Sequence, residues 1–537
     1  MKTSINFTGS KKSVTTESAS ESARESFHGV NPKTRQNLSP AYQEASRNVC
    51  DSAVDDALEA FEEYRIKTPG QIAEFLNAIA SELNAVSEEL IARAHLETAL
   101  SYPRLQGELA RTVGQLNMFA QVVRSGTWMG ANIDTAIRDR VPNPKPDIRR
   151  VMIPIGPILV FSASNFPLAF SVAGGDTASA LAAGNTVVVK AHPGHPGTSD
   201  LAILAIRSAI SKCKMPEATV SLIHATKIEM SQHLVSHPKI RAVGFTGSLV
   251  AGRAIYNVAA ARPEPIPVFA EMGSLNPVLI LPEVMECSGV TLAEKFVQSM
   301  TLGVGQFCTK PGVLIVQKSN ALQRFMAMIA AQIRQTTPGT MLYAGLCDRF
   351  EAGIQELKKS GSVSEIARSQ TPANAERGEV ASVLFNVEAC EFVRNKQLRE
   401  EVFGPVSITV ICNDLTEMTQ VMNSLEGQLT ATIHGTHDEI EKNRALVDLL
   451  CQKAGRVVFN SFPTGVEVCS SMVHGGPYPA TTDARSTSVG AAAMDRWLRP
   501  VCYQDCPEHV LPQALRNINE LKIWRTINGD LTQESIQ

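Results

Sequence analysis

Ile153-Pro154-Ile155-Gly156-Pro157-Ile158-Leu159-Val160-Phe161-Ser162-Ala163 is an apolar run ending in small and hydroxyl residues, and its reading decides the fold class. A run this short, flanked by turn formers, predicts a buried strand rather than a helix. Working outward from it, the patterns alternate. A helix is expected over Phe170 to Ala183, a short strand over Thr186 to Val189 ending at Lys190, and a helix over Asp200 to Ser211. A strand over Ala218 to His224, a short helix over Glu229 to Ser236 and a strand over Ala242 to Phe245 follow. Strand and helix in alternation predict a doubly wound α/β domain. In such an open sheet, ligands sit outside the carboxyl ends of the strands. Ser162 to Asn165, Lys190 and Thr246 to Ser248 are therefore expected to converge on one crevice.

A second alternating series starts beyond Gly273. Its expected elements are a strand over Val278 to Leu281, a helix near Ala293 to Gly303, a strand over Val313 to Val316, a helix from Ser319 to Gln335 and a strand near Val406 to Ile411. The polar segment Gly353 to Gly378 reads as surface helix and loop. On the amino-terminal side, Gly29 to Thr34 reads as the turn of a hairpin. Val54 to Tyr64, Gly70 to Val86 and Glu88 to Ala99 then carry apolar residues at helical spacing. Asn143-Pro144-Lys145-Pro146, flanked by Arg140, Arg149 and Arg150, predicts a short projecting strand pair. Trp497 to Tyr503 reads as an extended strand outside both cores, followed by a short helix and a polar tail.

With 537 residues, two or three domains are expected. A net charge of -3 without a Lys/Arg block excludes nucleic acid and anionic membrane as main partners. The eleven cysteines are odd in number and follow no framework spacing, which suits a reducing compartment. Met1 to Ser26 lacks the apolar run of a signal peptide, and no later apolar stretch reaches the length of a membrane span, so a cytoplasmic protein is expected. Asn6-Phe7-Thr8 has the form of a glycosylation site, but without a secretion signal it is read as unused.

Four stretches carry chemistry. In Gly305-Gln306-Phe307-Cys308-Thr309-Lys310-Pro311-Gly312 a turn presents one cysteine, and a thiolate attacks carbonyl carbon well. Its flanking glycines admit close approach of a substrate or a flat cofactor. Glu271, inside Phe269-Ala270-Glu271-Met272-Gly273, is expected to be half buried, with its pKa raised toward the range of a general base; the alternative is a structural ion pair. Asn165, before Phe166-Pro167, offers an amide donor to developing negative charge or is a turn residue. Gly244-Phe245-Thr246-Gly247-Ser248, with Gly252, is a strand, tight turn and helix start that presents N–H groups to an anion, unless it is only a turn. Lys190 either reaches a ribose hydroxyl or phosphate there or is solvated. His192 and His195 lie in a proline-rich turn where no metal is expected.

Asn-Phe-Pro after a strand, Phe-Thr-Gly-Ser, Glu-Met-Gly, Gly-Gln-Phe-Cys-Thr and Glu400-Glu401-Val402-Phe403-Gly404-Pro405, in this order, resemble the aldehyde dehydrogenase superfamily over about residues 28 to 535. Within it, Gly455 to Val468, His474 to Thr482 and Leu105-Gln106-Gly107-Glu108-Leu109 resemble the α-ketoglutaric semialdehyde (2,5-dioxopentanoate) dehydrogenases. Some NADP-linked long-chain aldehyde dehydrogenases share part of the pattern.

The resemblance implies that Cys308 is the nucleophile, Glu271 the general base and Asn165 an oxyanion donor. It implies that Ser164, Lys190, Gly247, Ser248, Gly273, Glu401 and Phe403 hold NAD or NADP, and that Phe170, Arg104, Arg111 and Arg485 are candidate substrate contacts. Lys190 is followed by Ala191-His192-Pro193 without the glutamate that favours NAD in relatives, so NADP is expected to serve at least as well as NAD. The implied organisation is a polar lead over 1–26 and a dinucleotide-binding domain from 27–135 with 153–272. Oligomerisation strands from 136–152 and 497–537 and a catalytic domain over 273–496 complete it, in a homodimer or homotetramer. Cys308 and Glu271 together argue against an inactive scaffold, and Glu271 argues against a relative that releases a coenzyme A thioester.

Overall fold

The computed structural model describes residues 25–536. The polar lead up to residue 24, with Asn6-Phe7-Thr8, lies outside the described residues. The expected amino-terminal hairpin pairs Ser26–Val30 with Asn37–Gln43, and helices Arg47–Tyr64, Pro69–Ala85, Ser87–Thr98 and Tyr102–Ser125 follow. Local chemistry sets their ends. Ser46 caps the first helix by accepting from Val49 N, and Thr68 and Gln71 form a reciprocal capping box on the second, with Pro69 at its first position. Ile72, Phe75, Leu76, Ile79 and Leu83 recur at helical spacing and are all buried, so the second helix is held by one apolar stripe.

The chain forms two doubly wound α/β bodies. The first is built on a five-stranded parallel sheet in the order Val220–Ile223, Val187–Lys190, Ile158–Phe161, Ala242–Thr246, Val268–Glu271. The second has seven strands in the order Ser364–Arg368, Val383–Glu388, Val406–Cys412, Val313–Gln317, Val278–Ile280, Gln428–His434, Ala454–Phe459, parallel except for the first pair. A third sheet joins Leu498–Gln504, Ile148–Pro154, Asn132–Asp134, Arg525–Ile527 and Asp530–Thr532 around a small core of its own.

Several expectations are corrected. The run from Ile153 to Ala163 is two strands: Ile148–Pro154 belongs to the third sheet, and Ile158–Phe161 to the first. Gly156, at φ +131, makes the break, because an L side chain rarely adopts that backbone. The helix expected from Phe170 begins only at Gly175; the preceding residues turn, with Gly175 N donating to Ala169 O. The segment read as surface helix and loop holds the end of helix Ala344–Lys359 and an edge strand, Ser364–Arg368. Trp497 is fully buried in the main core rather than outside it, and the polar tail forms the hairpin 525–532 that completes the third sheet. No disulfide links any of the eleven cysteines, and no described helix is long and apolar enough to cross a membrane.

Asn185 ties the first and third sheets across the Gly156 break. Its Oδ1 accepts from Ile155 N and Gly156 N at 2.9 and 3.0 Å, while Nδ2 donates to Trp497 O at 3.1 Å. Asn185→Ala strands these buried groups, each costing about 1 to 3 kcal/mol. The expected net loss is about 2 to 4 kcal/mol, read as a lower denaturant midpoint. An unchanged midpoint would show that the tie carries no stability.

Candidate active site

Cys308 sits in a tight turn closed by Lys310 N donating to Phe307 O. Three left-handed residues lead into it, Gly303, Val304 and Gly305, at φ 57, 60 and 64. Val304 is β-branched and rarely adopts this conformation, so local strain is held in place by the surrounding packing. Gly305 is required by close approach of protein backbone, not of a ligand: a Cβ there would lie 2.4 Å from Gly404 O. Asn276 fixes the other side, donating through Nδ2 to Cys308 O at 2.8 Å and Lys310 O at 3.0 Å. Asn276 is itself held by Ser274, Gln428 and Thr430, a fully buried polar network.

Glu271 ends the edge strand of the first sheet. Segment 480–482 returns from the second body and pairs there: Met272 N donates to Ala480 O at 2.8 Å, and Thr482 N to Ala270 O at 3.1 Å. That return brings His474 between the carboxylate and the thiol. His474 Nε2 is 3.0 Å from Glu271 Oε1 and 3.4 Å from Cys308 Sγ, and Ser488 Oγ donates to Glu271 Oε2 at 2.7 Å. His474 Nδ1 is buried without a partner, so a single ring proton is best placed on Nε2, between two acceptors. Asn165 donates one Nδ2 N–H to Gln306 O at 3.1 Å beside this turn, leaving the second.

Burial, the Glu271 charge and its hydrogen bond push the Cys308 thiol well above its ordinary pKa, with the Arg111 charge pulling the other way. The expected rise at Glu271 is corrected. Burial does work to raise it, but His474, Ser488 and Cys308 together outweigh burial and hold the carboxyl below its usual value. Glu271, Cys308 and His474 also place three metal-binding atoms within 4.8 Å of one another, although Arg111 beside the thiol opposes a cation.

The strand ends expected to converge are neighbours in the first sheet. Phe161 is level with Lys190 on one side and Phe245 on the other, and Gly247 N donates to Glu271 O. Ser164 is half-buried just beyond Ile158–Phe161. Ser248 caps helix Leu249–Ala260 while Gly247 to Val250 stay exposed, so the first-turn N–H groups face outward. Burial draws Lys190 down to about 8, opposed by Glu44, and Lys190 makes no ion pair among the described residues. An open helix start, a bare glycine and an uncommitted lysine fit a dinucleotide. A Cβ on Gly273 would lie 2.5 Å from Glu401 Oε2. Burial raises Glu401 to about 7 against the pull of Lys310, and lowers Lys310 to about 8 against the pull of Glu401. Phe403 is half-buried against the main core.

Phe166, Phe170 and Phe307 form an aromatic cluster beside Cys308, with ring centroids 5.3 Å apart in the two pairs that Phe166 makes. Arg104 lies over Phe166 and Phe307 and pairs with Glu108 at 2.6 Å, whose other oxygen accepts from Leu168 N and Ala169 N. Arg111 lies over Phe166 and Phe170. Arg485 is not brought here: its side chain is 91% exposed, paired with Asp483, and lines a separate cleft of about 1060 Å³. His474, Ser488, Asn276 and Arg456 were not assigned roles from the sequence. The one available signal was the solitary histidine before Gly475-Gly476.

A profile described as the aldehyde dehydrogenase family matches residues 18–494. Alpha-ketoglutaric semialdehyde dehydrogenase 2 of Azospirillum brasilense is 47% identical over 490 residues, covering 91% of this chain and 93% of that protein. The alpha-ketoglutaric semialdehyde dehydrogenase of Acinetobacter baylyi is 43% identical over 508 residues, covering 94% and 96%. Among solved structures, a 1-pyrroline-5-carboxylate dehydrogenase from Thermus with bound NAD is 19% identical. Its TM-score is 0.76, and 89% of this chain and 90% of that chain are covered.

A thiol held well above its ordinary pKa is mostly protonated at neutral pH and gains thiolate as pH rises. Alkylation of Cys308 by iodoacetamide should therefore keep accelerating through pH 9, and Glu271→Gln, which removes a negative neighbour, should shift the profile to lower pH. A plateau already reached at pH 7 would overturn this electrostatic reading.

Proposed function

The chain belongs to the aldehyde dehydrogenase family and is an NAD(P)-dependent oxidoreductase, and from that membership we propose that it oxidises α-ketoglutaric semialdehyde to 2-oxoglutarate. The observation that carries the chemistry is the placement of His474 Nε2 within 3.0 Å of Glu271 and 3.4 Å of Cys308. The substrate rests on the names of the two relatives that exceed 40% identity along nearly the whole chain.

In this reading Cys308 Sγ adds to the aldehyde carbon while its proton passes to Glu271, the carboxylate it hydrogen-bonds, and from there to solvent. Asn165, through its second Nδ2 hydrogen, and the Cys308 N–H receive the developing oxyanion. The bound nicotinamide supplies the hydride acceptor. Glu271 then takes a proton from the water that attacks the thioester, and the carboxylate product leaves with the thiol restored. His474 helps set the strength of that base, because together with Ser488 and Cys308 it outweighs burial at Glu271. Lys190, Ser164, Gly247 and Ser248 would hold the adenosine ribose and pyrophosphate, and Gly273, Glu401 and Phe403 the nicotinamide ribose and ring.

The first body with the amino-terminal helices is the dinucleotide-binding domain in this proposal, and the second body the catalytic domain. The third sheet would join copies into a homodimer or homotetramer. Eleven free cysteines favour a reducing, cytoplasmic setting.

Cys308→Ala should abolish turnover and keep dinucleotide binding. Glu271→Gln should give one burst of reduced cofactor and then a steady state slower by about 10² to 10⁴. Wild-type steady-state rates in either variant would remove that residue from its role. In a panel of aldehydes, α-ketoglutaric semialdehyde should exceed pentanal and decanal in kcat/KM, with NADP⁺ serving at least as well as NAD⁺. Decanal as the best substrate would replace the semialdehyde by a long-chain aldehyde, and a hundredfold preference for NAD⁺ would overturn the cofactor expectation.

A further inference from the structure

We propose that Arg111 and Arg456 together form the seat for the carboxylate at the far end of the aldehyde substrate, an inference that deepens, and rests on, the semialdehyde reading.

Two arginines on one helix make the comparison. Arg104 and Arg111, both on Tyr102–Ser125, lie over rings of the same aromatic cluster. Arg104 is neutralised by Glu108 at 2.6 Å, as a structural arginine is expected to be. Arg111 is not. Its Nε and Nη2 are buried with no hydrogen-bond partner, and its guanidinium rests on Phe166 and Phe170 at 5.7 and 5.2 Å. The nearest acidic charges are committed elsewhere, Glu108 to Arg104 and two backbone N–H groups, Glu271 to His474 and Ser488.

Arg456 comes from the opposite body, on the edge strand Ala454–Phe459. It donates to Pro463 O at 2.5 Å and Gly465 O at 3.0 Å, and so holds the loop whose Val466 and Val468 pack on the aromatic cluster. Its Nε is buried and unpartnered. Both arginines thus meet the one aromatic cluster that holds Phe307 beside Cys308, Arg111 through its guanidinium and Arg456 through the loop it holds; the charge of each bears on Cys308, and that of Arg111 on Arg456. Guanidinium does not shed its proton to relieve that repulsion. An anion between them does, and donors on both cations match the two oxygens of a carboxylate. Because the seat lies in electrostatic reach of Sγ, the anion belongs to the molecule whose aldehyde Cys308 attacks. A short oxo-acid aldehyde meets both demands.

The test separates the seat from turnover and from the cofactor. In the full-length protein, glutarate should protect Cys308 from iodoacetamide, while 1-pentanol at equal concentration should not. Arg111→Met and Arg456→Met should each weaken glutarate protection about 10- to 100-fold, the range of one lost charge-assisted contact. Arg111→Lys and Arg456→Lys, which keep the charge, should recover part of it. In turnover the Met variants should lower the ratio of kcat/KM for the semialdehyde to kcat/KM for pentanal by the same factor, chiefly through the semialdehyde KM. Equal losses on both substrates would assign the arginines to the thiol or to packing and overturn the proposal, as would unchanged glutarate protection in both Met variants. A wild-type enzyme that prefers pentanal, with glutarate protection still dependent on both arginines, would sink the semialdehyde reading and leave the anion seat standing.

Discussion

The return of segment 480–482 onto the edge strand Val268–Glu271 is the constraint on which the rest of the site depends. An edge strand presents unpaired backbone groups, and here they are met by a piece of chain that has already traversed the second sheet. The pairing seals the first sheet and fixes where residues 474 to 478 run. It therefore decides that a histidine from one body lies against a carboxylate from the other. Ser488, a few residues further on, closes the arrangement by binding both Glu271 Oε2 and the His474 carbonyl. A shift of the return by one residue would reverse which side chains face the cleft.

The electrostatics built on this frame oppose one another. Burial penalises every charge in the cleft, yet Glu271 stays ionised because imidazole, hydroxyl and thiol donors surround it. The same carboxylate is what keeps the neighbouring thiol protonated. Two guanidiniums then supply the positive side of the cleft. Glu271 and Cys308 each shift the other, so the two titrate as a pair rather than as a separate acid and base.

Much of this was legible in the sequence, for identifiable reasons. Cys308, Glu271 and Asn165 stand in short local motifs whose order along the chain carries the information, and the strands at 242–246 and 187–190 announce themselves as continuous β-branched or apolar runs. Gln428–His434 does not: it is buried on both faces but carries two threonines and a glutamine, and Thr430 and Gln428 are spent on the Asn276 network. The single strand expected across Gly156-Pro157 split because the glycine's left-handed backbone is invisible in an apolar pattern. Arg456 and His474 lie in stretches whose resemblance was plain, but their roles depend on a contact between bodies, which spacing within either stretch does not encode. The sign of the Glu271 shift is hidden for the same cause, since its burial follows from the local motif and the neighbouring histidine does not.

The protonated resting state of Cys308 bears on how long the protein survives rather than how fast it works. Peroxide and other oxidants attack the thiolate, taking it to sulfenic and then irreversible sulfinic acid. A thiol pushed up by burial and by a carboxylate presents little of that form between turnovers. The arrangement that keeps the nucleophile protonated at rest therefore also shields it from chemical ageing.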